Sequence, residues 1–413
     1  MTSRSAGADV IVVGAGVVGA VTALLLQRAG AAVTLVERRP PEARSPTAGR
    51  LGPDLRTLAL APTSLALLQR LGAWSEACVR GACPYRAMEV WDGEGTGRIR
   101  FDAAEVGAET LGSIIPNHVL VRALWEALVS AGVDRVAGLS VTTLERGGYT
   151  GDTVLVLDDG TRLAAPLVVA ADGGDSRVRT LAGIECSEED MGQRAIATLA
   201  EVVTPHEHTA WQRFLPSGPL AFLPLPDDGE GRHLVSVVWS MDAPQSVALE
   251  ELSEDAFTAE LTGAFERRFG GIRQVDRRVA FPLRQRHARS YRAPGVVLVG
   301  DAAHVVHPMA GQGVNIGLRD AEVLVDELRP HLSRGIEARR LLGDPDLLYH
   351  YERSRRRENA IMLGALGGLH RLFSADDLAV RLLRNAGLGI VNRLAPVKRE
   401  LMVQALGFAQ AAT

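Results

Sequence analysis

D9VIVVGAGVVGA20 decides the fold. After Asp9 an apolar run, Val10 to Val13, reads as a buried strand, and it breaks at Gly14-x-Gly16-x-x-Gly19 into a helix expected over Val17 to Ala29. Gly30 caps that helix, and a second apolar strand, Ala32 to Val36, ends on Glu37, eighteen residues beyond the third glycine. Each glycine has its own task in such a unit. Gly14 turns tightly, Gly16 lets a pyrophosphate come against backbone, and Gly19 lets helix and strand pack closely. The N–H groups at the helix start have no partner within the helix and favour an anion. Glu37 stands where the hydroxyls of an adenosine ribose would be held, and its charge disfavours a 2′-phosphate there. Strand, turn, helix and acid in this order predict dinucleotide binding on an α/β fold.

Val10 to Gln27 carries no charge, and hydropathy alone would make it a signal peptide or a short membrane span. Its three glycines and the strand directly behind it argue against both. The rest of the composition agrees with a soluble globular chain: 413 residues, enough for two or more domains, with 46% hydrophobic and 23% charged residues. A net charge of −4 and the lack of a basic run interleaved with aromatics argue against a nucleic-acid partner. Cys78, Cys83 and Cys186 form no disulfide framework and have no metal-ligand spacing, which fits free thiols in a reducing cytosol. No metal site is expected. His206-x-His208 has no acidic or cysteine partner nearby and reads as a polar loop.

A second strand-turn-helix lies late in the chain, V296VLVGDAAHVVHPMAGQGVNIGLRDAEVL324. Val296 to Val299 reads as a buried strand that breaks at Gly300-Asp301, and a helix is expected from about Val314 to Leu328. Gly311 and Gly313 let backbone approach a flat ligand, and the helix start again favours negative charge. For a flavin those donors would face the pyrimidine end of the ring, with Asp301 accepting a ribityl or ribose hydroxyl. Ordinary α/β punctuation, with Asp301 as a capping residue, is the alternative.

Between the two motifs the periodicity alternates. Pro40 to Pro53 reads as a mobile surface loop; Arg56 follows it, either a phosphate partner or a solvated charge. Short strands at 88–92, 98–101 and 113–116 suggest an inserted antiparallel sheet, and Asn117 to Gly132 an amphipathic helix on which Arg122 either clamps a phosphate or lies along the surface. A171DGGDSRVR179 is a further strand-to-helix turn with Asp172, Arg177 and Arg179 at the carboxyl end of a buried strand. Residues from about 193 to 283 return to strands, interrupted by a helical stretch from Ser253 to Phe269. Trp211, Phe214, Phe222 and Trp239 read either as core or as the wall of an apolar pocket. Leu341 to Ala411 is mostly helical: Arg353 to Arg357 contains a cluster of a kind usually solvated, and the apolar stretches Leu369–Phe373 and Leu378–Val391 would cover the core, meet a partner subunit or rest on a bilayer.

In this order G14AGVVG19, A171DGGDSRVR179 and G300DAAHVVHPMAGQGVNIGLRD320 resemble the class A flavoprotein monooxygenases, aromatic hydroxylases of the para-hydroxybenzoate hydroxylase fold. The span from His307 to Asp320 looks like the signature of the ubiquinone-biosynthesis branch, and R56TLAL60 before L71GAW74 is most similar to the 2-polyprenyl-6-methoxyphenol hydroxylases. The resemblance implies a Rossmann-like FAD-binding domain in three pieces (1–86, 117–192, 284–340), an antiparallel-sheet substrate domain in two (87–116, 193–283) and a helical C-terminal region (341–413). It implies that Gly14, Gly16, Val18, Gly19, Glu37 and Arg38 hold the ADP half of FAD, with Arg56 and Arg122 towards the pyrophosphate. Asp301, Pro308, Gly311, Gln312, Gly313, Val314 and Asn315 would hold the ribityl chain and ring, and Asp172-Gly173 with Arg177 would serve FAD and a visiting nicotinamide nucleotide together. The usual Ala-Asn-Ser after Asp-Gly is here Gly174-Asp175-Ser176, which puts a carboxylate near that nucleotide's path.

The implied reaction reduces FAD with NADH or NADPH and lets it react with O2 to a C4a-hydroperoxyflavin, whose distal oxygen attacks an electron-rich phenol. It asks little acid/base chemistry of the protein beyond a dry site and removal of the phenol proton, so no triad is sought and no catalytic residue is named. A polyprenylated phenol would suit the apolar sheet, and a cytoplasmic enzyme at the inner face of the membrane, in a multi-enzyme complex or as an oligomer, would suit the C-terminal helices. Rival readings are a hydroxylase of a soluble aromatic or polyketide, a flavin-dependent dehydrogenase or reductase, and a nucleotide-binding protein without turnover.

Overall fold

The computed structural model describes residues 7–147, 151–227, 229, 231–306, 313–374, 394, 396, 398–400 and 402. Val10–Val13 (β1) lies inside a six-stranded sheet, between Val33–Glu37 (β2) and Leu167–Ala170 (β3), parallel to both. Val296–Leu298 (β4) extends the sheet beyond β3, and Asp134–Ala137 extends it beyond β2, both again parallel. A strand paired on two edges and covered on two faces has no polar side, which is why β1, β3 and β4 are unbroken apolar runs. Val17–Arg28 (α1) packs on this sheet, and Gly30, at φ +90°, lets the chain turn straight back into β2.

The second layer is a nine-stranded sheet. Its longest member, Cys186–Val202, pairs antiparallel with His233–Asp242 on one side and Val279–Ala288 on the other. The expectation of an antiparallel insertion holds for most of it, with one difference: Ala87–Asp92 pairs parallel with Thr209–Leu215. Those two strands come from separate excursions of the chain, so no hairpin fixes their relative direction. Gly112–Pro116, expected in the same sheet, instead pairs with Thr57–Leu60 and Cys83–Tyr85 in a small sheet of three.

Alternation gives the large sheet two unlike faces. Trp91, Trp211, Phe222 and Trp239 point outward into a core closed by Phe257, Leu261 and Phe265, whereas Val90, Ile99 and Phe214 form a cluster on the opposite face. A third buried cluster, Leu51, Leu55, Ile114, Leu199, Leu225 and Leu234, joins the large sheet to the stretch that follows β2. That stretch is irregular, as expected, but anchored: the Asp276 carboxylate accepts from Leu51 N at 2.7 Å, and Asp54 accepts from Arg56 N and His118 N at 2.9 Å.

Gly313–Leu332 (α3) runs four residues beyond its expected end, with Pro330 tolerated in its last turn. Tyr349–Ser374 (α4) is the helix expected after it, while Leu378–Val391 lies outside the described residues. Among the described residues no helix is long and apolar enough to cross a membrane. Near the C-terminus, buried Met402 packs with Leu111, and Lys398 pairs with Glu105 at 2.7 Å.

Candidate cofactor site

The first glycine motif has the local geometry its spacing requires. Gly14 sits at φ +102°, and a Cβ there would lie 2.4 Å from the carbonyl oxygen of Ala171. A Cβ on Gly19 would lie 2.0 Å from Gly14 O. Gly16 differs: it is exposed, and nothing stands within 4 Å of where its Cβ would be. Open space at Gly16, and a start of α1 with no side-chain cap and no acid in its first turn, leave the helix N–H groups facing outward as an anion cradle. The Glu37 carboxylate reaches across to this turn, accepting from Ala15 N at 2.5 Å and from Arg39 N at 2.7 Å. Arg38 beside it is exposed.

The three motifs converge. Ala171, just before the second motif's turn, is the backbone against which Gly14 packs. Val18 of α1 touches the third motif at two glycines: a Cβ on Gly300 would lie 3.1 Å from Val18 Cγ1, and one on Gly317 only 2.6 Å from Val18 Cγ2. Arg179 fastens the second motif to the third, donating to Gly174 O at 2.9 Å and to Ala302 O at 2.8 Å, and is buried. Asp172 is used as a cap: one oxygen accepts from Ser176 Oγ, the other from Arg177 N and Val178 N at the start of the short helix Arg177–Leu181 (α2). Its immediate task is to build the loop. The departure at Gly174-Asp175 is matched by Arg286, which donates to Gly174 O and Asp175 Oδ1, both at 2.6 Å, and holds the exposed Asp175 carboxyl below the usual range.

In the third motif Asp301 is reachable by solvent yet surrounded by protein atoms. Burial raises its carboxyl above the ordinary value, against the pull of His304 and Arg56. Arg56 is exposed and its charge acts on Asp301; Arg122 is exposed too, donating to Ala43 O at 3.2 Å and pairing with Glu126 at 3.6 Å. Asn315 in the first turn of α3 spends its side chain on structure, accepting from Ala61 N and Ser64 Oγ and donating to Ala59 O, all at 2.8–2.9 Å. Gly313 and Val314 begin α3; Pro308, Gly311 and Gln312 lie outside the described residues.

Of the four aromatics named from sequence, only Phe214 faces this side. With Val90 and Ile99 it forms an apolar wall, completed by Met88, Phe101, Val306 at the entrance to the 307–312 segment, and Met362 of α4. The residues missed from sequence are those whose partners are remote. Arg355, read as solvated, is 3% exposed and bonds the fully buried Asp320 at 2.7 Å. No spacing rule links positions on two separate helices. His206 and His208 bond the Leu225 and Pro84 carbonyls, and among the described residues no group of three possible ligands could hold a metal.

The family model described as "FAD binding domain" matches residues 7–363. The chain is 36% identical to the 3-demethoxyubiquinol 3-hydroxylase of Escherichia coli, covering 97% of this chain and 98% of that one. It is 35% identical to the ubiquinone hydroxylase UbiL of Rhodospirillum rubrum, covering 97% and 90%. Among solved structures, p-nitrophenol 4-monooxygenase PnpA of Pseudomonas putida superposes with a TM-score of 0.76 over 97% of this chain and 98% of that one; at 23% identity the likeness speaks for the fold alone.

Proposed function

The chain belongs to the FAD binding domain family, in its ubiquinone-biosynthesis hydroxylase branch, and is an FAD-dependent aromatic hydroxylase; on that premise we propose that it hydroxylates a polyprenylated phenol on the route to ubiquinone, using O2 and NADH or NADPH. The observation that carries the proposal is that the apolar wall of Val90, Ile99 and Phe214 abuts Val306, the residue leading into the glycine-rich loop of the third motif. A hydrophobic ring and tail would lie there beside the group that reacts with it.

The residues present fit FAD. The open, uncapped start of α1 at Gly16 would take the pyrophosphate, Glu37 the adenosine ribose, and Asp301 a hydroxyl of the ribityl chain, with Arg56 adding positive charge nearby. Gly313 and Val314 at the start of α3 would turn N–H groups towards the electron-rich end of the ring, alongside Pro308, Gly311 and Gln312. When bound, FAD supplies the electron transfer and oxygen activation that side chains lack. The protein's own share is to hold the aromatic ring against that surface and to keep water out with Met88, Val90, Ile99, Phe101 and Phe214. We assign 87–116 and 193–283 to the substrate side and 1–86, 117–192 and 284–340 to the FAD side, with two adjustments: Gly112–Pro116, paired with Thr57–Leu60, goes with the FAD side, and the large sheet reaches out to Cys186 and Ala288. Val18 shapes the cradle by contact, Asp172 by capping, and Arg38 and Arg122 contribute charge at its edge.

Deletion of the coding sequence in its own cell, followed by mass spectrometry of the quinone pool, tests this. A prenylated precursor lacking one ring hydroxyl should accumulate, and the purified yellow protein should incorporate one 18O atom from labelled O2 into that precursor. An unchanged quinone pool sinks the substrate assignment. Substrate-dependent oxidation without 18O incorporation sinks the monooxygenase reaction.

A further inference from the structure

Asp320 closes the third motif and has no place in the cradle just described. It lies two turns into α3 with no exposed surface, and its two oxygens collect four donors. Oδ2 accepts from Gly300 N at 3.0 Å and from His304 Nε2 at 2.6 Å; Oδ1 accepts from Arg355 Nε at 2.7 Å and from Asn359 Nδ2 at 3.3 Å. Gly300 and His304 are the two ends of the turn that carries Asp301. One carboxylate oxygen thus grips that turn on both sides, while Arg179 holds its middle through Ala302 O.

The second oxygen is itself held. Arg355 is almost fully buried, and its Nη2 donates to Asn359 Oδ1 at 3.0 Å, so the two α4 side chains brace each other as well as the carboxylate. Asn359 goes on to Tyr291 OH at 3.2 Å, and that hydroxyl meets His287 Nε2 at 3.0 Å. Charge-assisted bonds in a dry interior are strong and directional, and leaving any one partner unpaired there is costly. The turn is therefore fixed relative to α3 and α4, neither of which presents Asp320, Arg355 or Asn359 to the cradle.

We propose that Asp320, braced by Arg355 and Asn359 of α4, is the positioning residue for Asp301, holding the Gly300–His304 turn in the shape the ribityl side of the FAD cradle needs. The proposal rests on the assignment of FAD to this site made above, and it extends the site to α4, which no glycine motif marks. It also accounts for an arginine in an otherwise solvated cluster being drawn inward.

A double-mutant cycle on the full-length holoprotein tests it, with FAD release on dilution followed by the recovery of flavin fluorescence. Asp301→Asn should weaken FAD retention about 10- to 100-fold, as expected for a lost bond to a charged acceptor. Asp320→Asn keeps the volume but turns an NH2 towards groups that are themselves donors, and should weaken retention over a similar range. The double variant should be no weaker than the weaker single one, because both changes act through one contact. Arg355→Lys should recover at least half of the logarithmic loss seen in Arg355→Met, and this pair carries the test if Asp320→Asn does not fold. Losses that multiply in the double variant, or FAD retention untouched by Asp320→Asn, overturn the proposal. If Asp301→Asn alone holds FAD as tightly as the natural chain, the assignment of this turn to FAD falls, and the proposal with it.

Discussion

At position 317 a single methyl group decides how close α3 comes to α1. A Cβ there would stand 2.6 Å from Val18 Cγ2 and 3.2 Å from Gly300 Cα, so Gly317→Ala must push two helices and a turn apart. It should cost roughly 1–3 kcal/mol, as overpacking of a tight contact does. Val18→Ala in the same chain should restore part of the loss, and urea unfolding of the two single variants and the double one measures the coupling. Independent, additive losses would mean that Val18 is not the obstacle. A second prediction concerns acid. Burial, with Arg356 and His304 adding to it, pushes the His287 imidazole down to about 4. An unfolded chain takes up this proton near pH 6.5, as a free histidine does. The folded chain resists until about pH 4, so the stabilisation is complete above pH 6.5 and drains away as pH falls between the two values. Loss on the order of 2 kcal/mol is expected for a partly exposed ring. His287→Gln should flatten the stability difference between pH 7 and pH 5; an equal slope in both proteins refutes the assignment. Residues of this kind mark the limit of what the sequence shows. Gly14, Gly16 and Gly19 announce themselves because a local backbone requirement leaves only glycine, whereas Arg355 pairs 35 residues away and looks like its solvated neighbours.

Elements were legible where their period was regular. The strand-turn-helix from Val10 to Arg28 follows the pattern to within a residue or two, since burial on both faces and a turn open only to glycine leave one solution. The large sheet was legible as strands but not as pairings, because register between Ala87–Asp92 and Thr209–Leu215 is set by packing across more than a hundred residues. Which face each aromatic would take was equally hidden, and only the outer helices reveal that Trp211 and Trp239 are core while Phe214 turns to the site. Asn315 shows how elements are then locked together. Its amide joins the first turn of α3 to Ala59, Ala61 and Ser64, so the N-terminus of α3 cannot drift from the segment that carries Arg56. Asn315→Ala leaves three partly buried groups without that partner and should cost about 2 kcal/mol. Asn315→Asp keeps the acceptor for Ala61 N and Ser64 Oγ and adds a charge that the start of α3 favours, but turns an acceptor towards Ala59 O, and should cost less than the loss of all three bonds. Thermal melts that rank the two the other way would remove the bridge as an explanation.

At the scale of the whole molecule, two sheets with separate cores are expected to unfold as one body. The parallel sheet is built around β1 and β3, the large sheet around Trp91, Phe222 and Phe265, and between them stands the small cluster of Leu51, Leu55, Ile114, Leu199, Leu225 and Leu234. Polar links run alongside it: Arg286 to Gly174 and Asp175, Arg50 to Glu254, and Asp276 to Leu51 N. Surface pairs such as Arg50–Glu254 contribute little, so the apolar cluster has to supply most of the coupling. Leu199, 1% exposed, and Leu261, fully buried, offer a matched comparison. Either one changed to Ala should cost about 2–5 kcal/mol through lost burial and the cavity left behind. Leu261→Ala opens the outer core, away from the seam, and should leave a single calorimetric transition that FAD shifts upward as a whole. Leu199→Ala weakens the junction itself and should split the transition in two. FAD should then raise only the step belonging to the parallel sheet, because a ligand stabilises what it binds and nothing that has come loose from it. A single transition in both variants, moving together with added FAD, would assign the coupling to the polar links instead and predict that Arg286→Met, not Leu199→Ala, separates the sheets.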